Sequence, residues 1–268
     1  MKTLYRNHFT FFTLSVVFAI TLLAVQSAAA IQMDHRNVAV GPDGTTYVIA
    51  QRMDMMGGGM GDHGEDDHGM DLTLYAVSQD NRVLWSYRLE GGEVTAPVVG
   101  SDSTVYVILF SMRDDHERQN GAEPGRSKLY AIRAGNLKWS FEFEGRLPSA
   151  PVLGPERTIY FSTNCCMLGE MGDCDDVEQC QQNEKAALFA VEDRQTSAAL
   201  LWSRDLDAMM LSEPVVQVTS ATDWTISVSG LLRDRDGMGG GMMGDLVLFR
   251  FRPNGSFQVI RLARGGHM

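Results

Sequence analysis

Cysteine is scarce in this sequence and is confined to one place. The four cysteines, Cys165, Cys166, Cys174 and Cys180, lie within sixteen residues of one another. There is no CxxCH, which excludes c-type haem at the level of motif, and no paired CxxC, which argues against a structural zinc site. A nucleophile elbow, an HExxH motif, a phosphate loop and a dinucleotide fingerprint are also missing. With no catalytic constellation in view, we predict a protein that is not an enzyme.

Positive charge is also in short supply. The chain carries 23 Lys and Arg against 34 Asp and Glu, a formal net charge of −11. Nucleic acids and anionic membrane surfaces attract basic proteins, so this balance argues against both as partners. The excess of acidic residues has two readings that we leave open, which are simple solubility and cation binding.

The first thirty residues have the pattern of a secretory signal. Lys2 and Arg6 precede an apolar run over 11–25, and small residues suited to a signal peptidase follow it. The run is shorter than the ~20 apolar residues of a membrane span, and no cysteine follows it to carry a lipid. We expect residues 1–30 to be cleaved, leaving 31–268 as a periplasmic or secreted domain with no membrane span. Loss of the two basic residues takes the net charge from −11 to −13.

One phrase recurs along the chain: a strand-like tetrapeptide, then a tryptophan, then a proline. Its three copies are 74–77, Trp85 and Pro97; 129–132, Trp139 and Pro151; and 188–191, Trp202 and Pro214. The tryptophans are 54 and 63 residues apart. A four-stranded propeller blade takes about 40–50 residues, so this period corresponds to a blade plus an insertion.

Alternating β-branched and aromatic residues between turn signals predict short antiparallel strands throughout, with no helical periodicity between them. Aligning the copies gives four units of about four strands each, which are 37–89, 94–143, 148–206 and 211–262. The fourth unit is degraded, because it reads LVLFRF at the tetrapeptide strand and places Phe257 where a tryptophan is expected. The predicted fold class is therefore all-β.

These units resemble the PQQ-like repeat of quinoprotein-type β-propellers, in which an LYALD-like strand precedes a W-x-y/f strand and an sPvv segment. The resemblance covers nearly all of residues 37–262 and implies a β-propeller-like fold with Trp85, Trp139 and Trp202 in equivalent buried positions between blades. Quinoproteins use eight such blades. Four units could close a small propeller or form half of a larger one, and a homodimer would then complete it.

The long insertions all lie between the second and third strands of their units, at 51–71, 111–127, 164–185 and 230–245. Equivalent hairpins emerge on the same end of a propeller, so we expect the four insertions to share one face. Eleven of the fifteen methionines that follow the leader are in these segments. Their Gly and Asp neighbours offer no apolar face, which argues against the usual role of methionine as core filler.

Thioethers select Cu(I), and imidazoles bind copper in either state, so the first and fourth insertions together predict a copper site. The candidate ligands are Met53, Met55, Met56, Met60, His63, His68, Met70, Met238, Met242 and Met243. A solvated low-complexity loop without a ligand is the competing reading. Calcium is a weaker alternative, because the acidic stretches lack the spacing of a calcium-binding loop.

The most concrete function that follows is an exported, non-catalytic binding platform whose partner is a metal ion or another exported protein. Two alternatives remain. Adjacent cysteines such as Cys165 and Cys166 can form a vicinal disulfide like the one beside the quinone in some PQQ dehydrogenases, which implies a PQQ-binding subunit. The other is a protein-interaction scaffold without a small ligand.

We predict that Cys165 and Cys166 pair with Cys174 and Cys180 in two disulfides that close one loop. Such short closures stabilise by a few kcal/mol at most, so reduction is expected to leave most of the β-sheet circular dichroism intact. Thiol titration of the denatured, unreduced protein is expected to find no free thiol. Four free thiols, or loss of the whole fold on reduction, would contradict the assignment.

Overall fold

The strands follow the alternation of apolar and polar residues in the sequence. The computed structural model describes residues 37–52, 71–89, 92–110, 127–145, 147–164, 186–220, 222–232 and 244–263. All of them belong to one unit, Arg36–Met268. In these ranges the chain is almost entirely strand, with a 3₁₀ turn at Pro155–Arg157 and no helix long and apolar enough to cross a membrane.

The strands form four antiparallel sheets, each built from consecutive segments of the chain. Sheets 1 and 3 are four-stranded meanders. Sheet 1 contains β1 (Val38–Val40), β2 (Thr46–Arg52), β3 (Asp71–Val77) and β4 (Val83–Leu89). Sheet 3 contains β10 (Val152–Leu153), β11 (Thr158–Thr163), β12 (Ala186–Asp193) and β13 (Ala198–Leu206).

Sheets 2 and 4 have five strands because two short strands share one side of the second-position strand. Sheet 2 contains β5 (Glu93–Val94), β6 (Val98–Val99), β7 (Val105–Phe110), β8 (Ser127–Arg133) and β9 (Asn136–Phe143). Sheet 4 contains β14 (Ala208–Leu211), β15 (Val215–Ser220), β16 (Asp223–Leu232), β17 (Leu246–Phe251) and β18 (Phe257–Ala263). The expected all-β class is confirmed, and four antiparallel sheets are consistent with a propeller-like architecture.

The three tryptophans occupy equivalent positions in the strand register. Each lies opposite the alanine of the repeated tetrapeptide, as Ala76–Trp85, Ala131–Trp139 and Ala190–Trp202, and a β-bulge follows each pair. A tyrosine ring from the second strand packs on each indole, with ring centroids 5.7 to 6.0 Å apart. Trp139 and Trp202 are buried as predicted. Trp85 is only half-buried, so the prediction was too strong for the first unit.

The fourth unit corrects a second expectation. Ser227 pairs with Arg250, and Arg250 with Gln258, so Gln258 and not Phe257 is the counterpart of the tryptophans. No bulge follows this pair, and Phe257 lies one residue earlier, opposite Phe251. Because a shift of one residue moves a side chain to the other face of a strand, Phe257 packs on Phe251 with ring centroids 4.9 Å apart.

The core is divided among three clusters, each between consecutive sheets. Between sheets 1 and 2 it includes Tyr47, Leu74, Val107 and Ile132. Between sheets 2 and 3 it includes Tyr106, Leu129, Phe161 and Val191. Between sheets 3 and 4 it includes Tyr160, Leu188, Ile226 and Phe249. Among the described residues no core cluster joins sheet 4 to sheet 1.

The packing repeats in one direction. In sheets 1 to 3, the tryptophan and the tyrosine that packs on its indole lie on the face that contacts the next sheet, which we call the forward face. The opposite face, the backward face, receives the preceding sheet. Each tryptophan also contacts the turn that joins the third and fourth strands of the next sheet. A Cβ on Gly135 would lie 3.2 Å from Trp85 Cβ, and one on Gly255 would lie 2.9 Å from Trp202 Cδ2.

Gly255→Ala tests this contact between a turn and an indole. Gly255 has φ +77°, and the new methyl group would press on the Trp202 ring, so we expect a loss of about 2–4 kcal/mol in the free energy of unfolding. Gly44→Ala is the matched control, because Gly44 has φ +79° but a Cβ there meets only the exposed side chain of Gln79. We expect that variant to lose about 1–2 kcal/mol. Equal losses in urea denaturation would show that contact with Trp202 adds nothing to the backbone strain.

Candidate functional site

The sheets present two edges with different contents. At the turn edge lie the tight connections between first and second strands and between third and fourth strands. At the insertion edge the second strand of each sheet ends and the third begins, at Arg52 and Asp71, Phe110 and Ser127, Thr163 and Ala186, and Leu232 and Leu246. All four long insertions therefore connect the same pair of strands in their sheets.

The residues that the sequence singled out lie outside the described ranges. This holds for the leader 1–30, for the copper candidates Met53, Met55, Met56, Met60, His63, His68, Met70, Met238, Met242 and Met243, and for Cys165, Cys166, Cys174 and Cys180. Their predicted roles stay predictions. In the described part of the chain, no group of three or more His, Cys, Asp or Glu is placed to hold a metal ion.

Hydrogen bonds fix the described bases of the insertions at sheets 2 and 3. The Asn164 Oδ1 accepts from the Leu211 backbone N–H at 2.6 Å, and its Nδ2 donates to the Leu211 carbonyl at 3.3 Å. The Ser127 hydroxyl donates to the Gly145 carbonyl at 2.8 Å. Gly145 is required there, because a Cβ would lie 2.7 Å from Thr163 Cγ2. The insertions thus depart from backbone that is tied to the segments leading to the next sheet.

The turn edge contains a charged cluster around Asp193, whose side chain is fully buried. Its Oδ1 accepts from Trp139 Nε1 at 2.8 Å and from the Gln195 backbone N–H at 2.7 Å. Its Oδ2 accepts from the Tyr106 hydroxyl at 2.6 Å, and from Lys138 and Arg157 at 3.0 and 2.9 Å. Tyr106, Lys138 and Trp139 of sheet 2 thereby bind a carboxylate of sheet 3.

The hydrogen bonds decide the charge state of this carboxylate. Burial alone would raise the pKa of the Asp193 carboxyl. The hydrogen bonds from Tyr106, Trp139, Lys138 and Arg157 outweigh this effect and hold the pKa well below its usual range. Burial and the bond to Asp193 raise the pKa of the Tyr106 hydroxyl. Asp193 is therefore ionised and Tyr106 neutral over the whole physiological range.

Asp102 gives the cluster a second, more exposed acidic group. Its carboxylate lies 3.6 to 3.8 Å from Arg133, Lys138 and Arg157, and it accepts from the Thr104 backbone N–H. A cavity of about 340 Å³ borders it, lined by residues that include Tyr106, Gly154 and Arg157.

This arrangement suits a structural clasp better than a reactive site. Both oxygens of Asp193 are occupied by donors, so the carboxylate has no lone pair directed at a substrate or a metal. Lys138 and Arg157 are likewise engaged with acidic groups. The cluster holds sheets 2 and 3 together at the turn edge.

Sequence reasoning missed this clasp. Asp193 lies three residues after Ala190, and the same step from Ala76, Ala131 and Arg250 reaches Gln79, Ala134 and Pro253. In sheet 4 the carbonyl of Pro253 accepts from Trp202 Nε1 at 2.7 Å and takes over the role of the carboxylate. One signal was an acidic residue at a repeat position whose counterparts are uncharged.

The comparisons with known proteins do not assign a family. The sequence matches no protein-family model. No curated protein matches it either. Among solved structures the chain is similar to a crystal structure of the tricorn protease, with 11% identity, a TM-score of 0.36 and coverage of 85% of this chain. The matched part spans 23% of that protein, and a likeness at this level supports no conclusion about activity or partners.

We expect Asp193→Asn to lower the free energy of unfolding by about 3–5 kcal/mol at neutral pH, because it leaves Lys138 and Arg157 without their buried counter-charge. Asp193 has a folded-state pKa below that of the unfolded chain. Its stabilisation is therefore fully present above about pH 5 and is lost as the pH falls through the folded pKa. Denaturation at several pH values should show this acid-side decline in the wild type and a flatter profile in the variant.

Glu192→Gln is the control for this experiment. Glu192 is adjacent to Asp193 and pairs with Arg194 at 2.7 Å on the exposed surface, where an ion pair contributes less than about 1 kcal/mol. Parallel pH profiles for the wild type and Asp193→Asn would show that the carboxylate is not the charged centre of the clasp.

Proposed function

We propose that this protein is an exported, non-catalytic β-propeller of PQQ-like repeats whose Met- and His-rich insertions bind copper. The observation that carries the proposal is topological. In every sheet the insertion joins the second strand to the third, and the sheets stack in one repeating direction. The strand ends from which the insertions begin therefore correspond from sheet to sheet.

The chemistry of the insertions supports a soft metal. Methionine sulfur is a soft ligand that prefers Cu(I), and a methionine exposed to oxidants is readily converted to its sulfoxide. Concentrating eleven methionines in segments rich in Gly and Asp therefore carries a chemical cost outside the cell, which metal binding would justify. A glycine-rich site with many equivalent thioethers suits storage or transfer of copper better than redox catalysis.

The described part of the fold is compatible with sheets that pack against one another and insertions that bind a ligand. The turn edge between sheets 2 and 3 is occupied by the Asp193 clasp, whose groups satisfy one another, and at the base of the fourth insertion the Leu232 backbone N–H donates to the Asp245 carbonyl at 2.9 Å. Ligand binding at the insertion edge would thus leave the packing between sheets unchanged.

A protein-interaction scaffold is the second candidate, and exposed apolar side chains on the outer sheets favour it. Val40 is 65% exposed and Val83 is 61% exposed, both on sheet 1. PQQ binding has no comparable support in the described residues, where the aromatic side chains of the repeat are used for packing between sheets.

Competition titration with Cu(I) under reducing conditions tests the copper proposal. We expect replacement by alanine of Met53, Met55, Met56, Met60, His63, His68 and Met70 to weaken binding at least about tenfold, since each lost soft ligand removes part of the coordination. Replacement of Met238, Met242 and Met243 should weaken it less.

A variant of the same loop with Asp62, Glu65, Asp66 and Asp67 changed to Asn or Gln is the matched control. It removes the hard oxygen ligands and keeps every thioether and imidazole, so Cu(I) affinity should stay within about twofold of the wild type. Unchanged affinity in the methionine and histidine variant would reject copper binding. A loss confined to the acidic variant, accompanied by calcium binding, would indicate a hard-cation site.

A further inference from the structure

The two outer faces of the stack are the two halves of a junction that occurs three times within it. Every internal junction joins a forward face to a backward face. The backward face of sheet 1 and the forward face of sheet 4 are the remaining pair, and no core cluster of described residues covers either. An interface that joins unlike faces can repeat between copies and close into a ring when the rotation permits.

The backward face of sheet 1 has the composition of a junction face. The pairs Val48–Tyr75 and Thr46–Val77 correspond in register to Val107–Tyr130 and Val105–Ile132 of sheet 2. Those residues of sheet 2 are buried against sheet 1. In sheet 1 their counterparts are only partly buried, and Val38 and Val40 beside them are 48% and 65% exposed. An apolar face of this kind on an outer sheet is a typical interaction surface.

The forward face of sheet 4 keeps apolar residues at one end and differs from the other sheets at the other end. Near the insertion edge it carries Leu231, Leu246, Leu248 and Ile260, which share one face by register. Near the turn edge the row that reads Tyr–Ala–Trp in the other sheets reads Ser227–Arg250–Gln258. In the other sheets the large side chains, tyrosine and tryptophan, are at the two ends of the row. In sheet 4 the large side chain is Arg250 at the centre, so the row presents one cation in place of two aromatic rings.

The turn of sheet 1 offers a matching anion. In the junction between sheets 2 and 3, the Tyr–Ala–Trp row reaches the residue three positions after Ala190, which is Asp193. The same step in sheet 1 leads to Gln79, and Asp80 follows it. The side chain of Asp80 is 61% exposed and pairs with the exposed Arg82 of the same turn at 3.0 Å, so its carboxylate remains accessible to a second cation. Arg250 at the centre of the row would thus meet an acidic turn. The clasp has the same arrangement, with a cation on the forward face of one sheet and a carboxylate in the turn of the next.

We propose that two copies of this chain associate head to tail, with the forward face of sheet 4 in each copy packed on the backward face of sheet 1 in the other. Arg250 of one copy then pairs with Asp80 of the second. The two junctions are related by a twofold axis, and each copy supplies one forward and one backward face. This inference does not depend on copper binding.

The size of the faces favours the closed pair. Four strands spaced about 4.8 Å apart and about seven residues long cover roughly 400 Å². One junction between two copies would bury two such faces, roughly 800 Å², which is no more than a typical crystal contact. Closure at both junctions buries about twice that area, within the ~1,200–2,000 Å² of stable complexes. A dimer that forms both junctions is therefore the smallest stable assembly.

Light scattering on the purified protein, combined with a mixing experiment, tests the arrangement. We expect the wild type to have the mass of two chains, and both Val40→Glu and Leu246→Glu to have the mass of one. Val40 and Leu246 are partly exposed, so a charge there is tolerated by the fold but not by a buried junction. Leu137→Glu, at a similarly exposed site on sheet 2, is the control and should remain a dimer.

Mixing the two monomeric variants separates this geometry from others. One variant keeps an intact forward face and the other an intact backward face, so the mixture can form one complete junction and should associate at high concentration. If two copies met through identical faces, one variant alone would still dimerise and mixing would restore nothing. A monomeric wild type at micromolar concentration, or a dimer that survives both substitutions, would overturn the proposal.

Discussion

A β-sheet has two faces, and the fold of this chain depends on how each sheet buries both of them. Side chains alternate along a strand, so a sheet in the interior of a stack must bury side chains on both of its faces. The pattern of β7, β11 and β12 meets this demand, because nearly all of their residues are buried. The outer sheets meet it on one face alone.

Register keeps these faces consistent from one sheet to the next. A bulge follows every alanine–tryptophan pair and holds the indole on the forward face. The indole then meets the turn of the next sheet, where Ala134, Asp193 and Pro253 occupy corresponding positions. The indole N–H of Trp139 donates to the buried carboxylate of Asp193, and that of Trp202 donates to the backbone carbonyl of Pro253. In the first junction the carbonyl of Ala134 accepts from the Asn136 side chain at 2.9 Å, and Trp85 is half-buried.

The sequence predicted the sheets because the information about them is local. The repeated tetrapeptide and Trp85, Trp139 and Trp202 defined the strand positions, and the structure confirms their shared register. The predicted register of the fourth unit was wrong because the actual register depends on the absence of a bulge. No residue of β18 indicates that absence in the sequence. The Asp193 clasp was missed for a different reason. Its donors come from two sheets, and a single buried carboxylate in an acidic chain gives no local signal of its long-range partners.

The two edges of the stack differ in what a substitution costs. At the turn edge, a change at Asp193 or Gly255 acts on an indole in the neighbouring sheet, so the residues there are constrained by packing. At the insertion edge of sheets 2 and 3, Ser127 and Asn164 bind the backbone of the segments that lead to the next sheet. The strands that the insertions connect are held in register by their own cross-strand pairs, so the described ends of each insertion are positioned by the sheet itself.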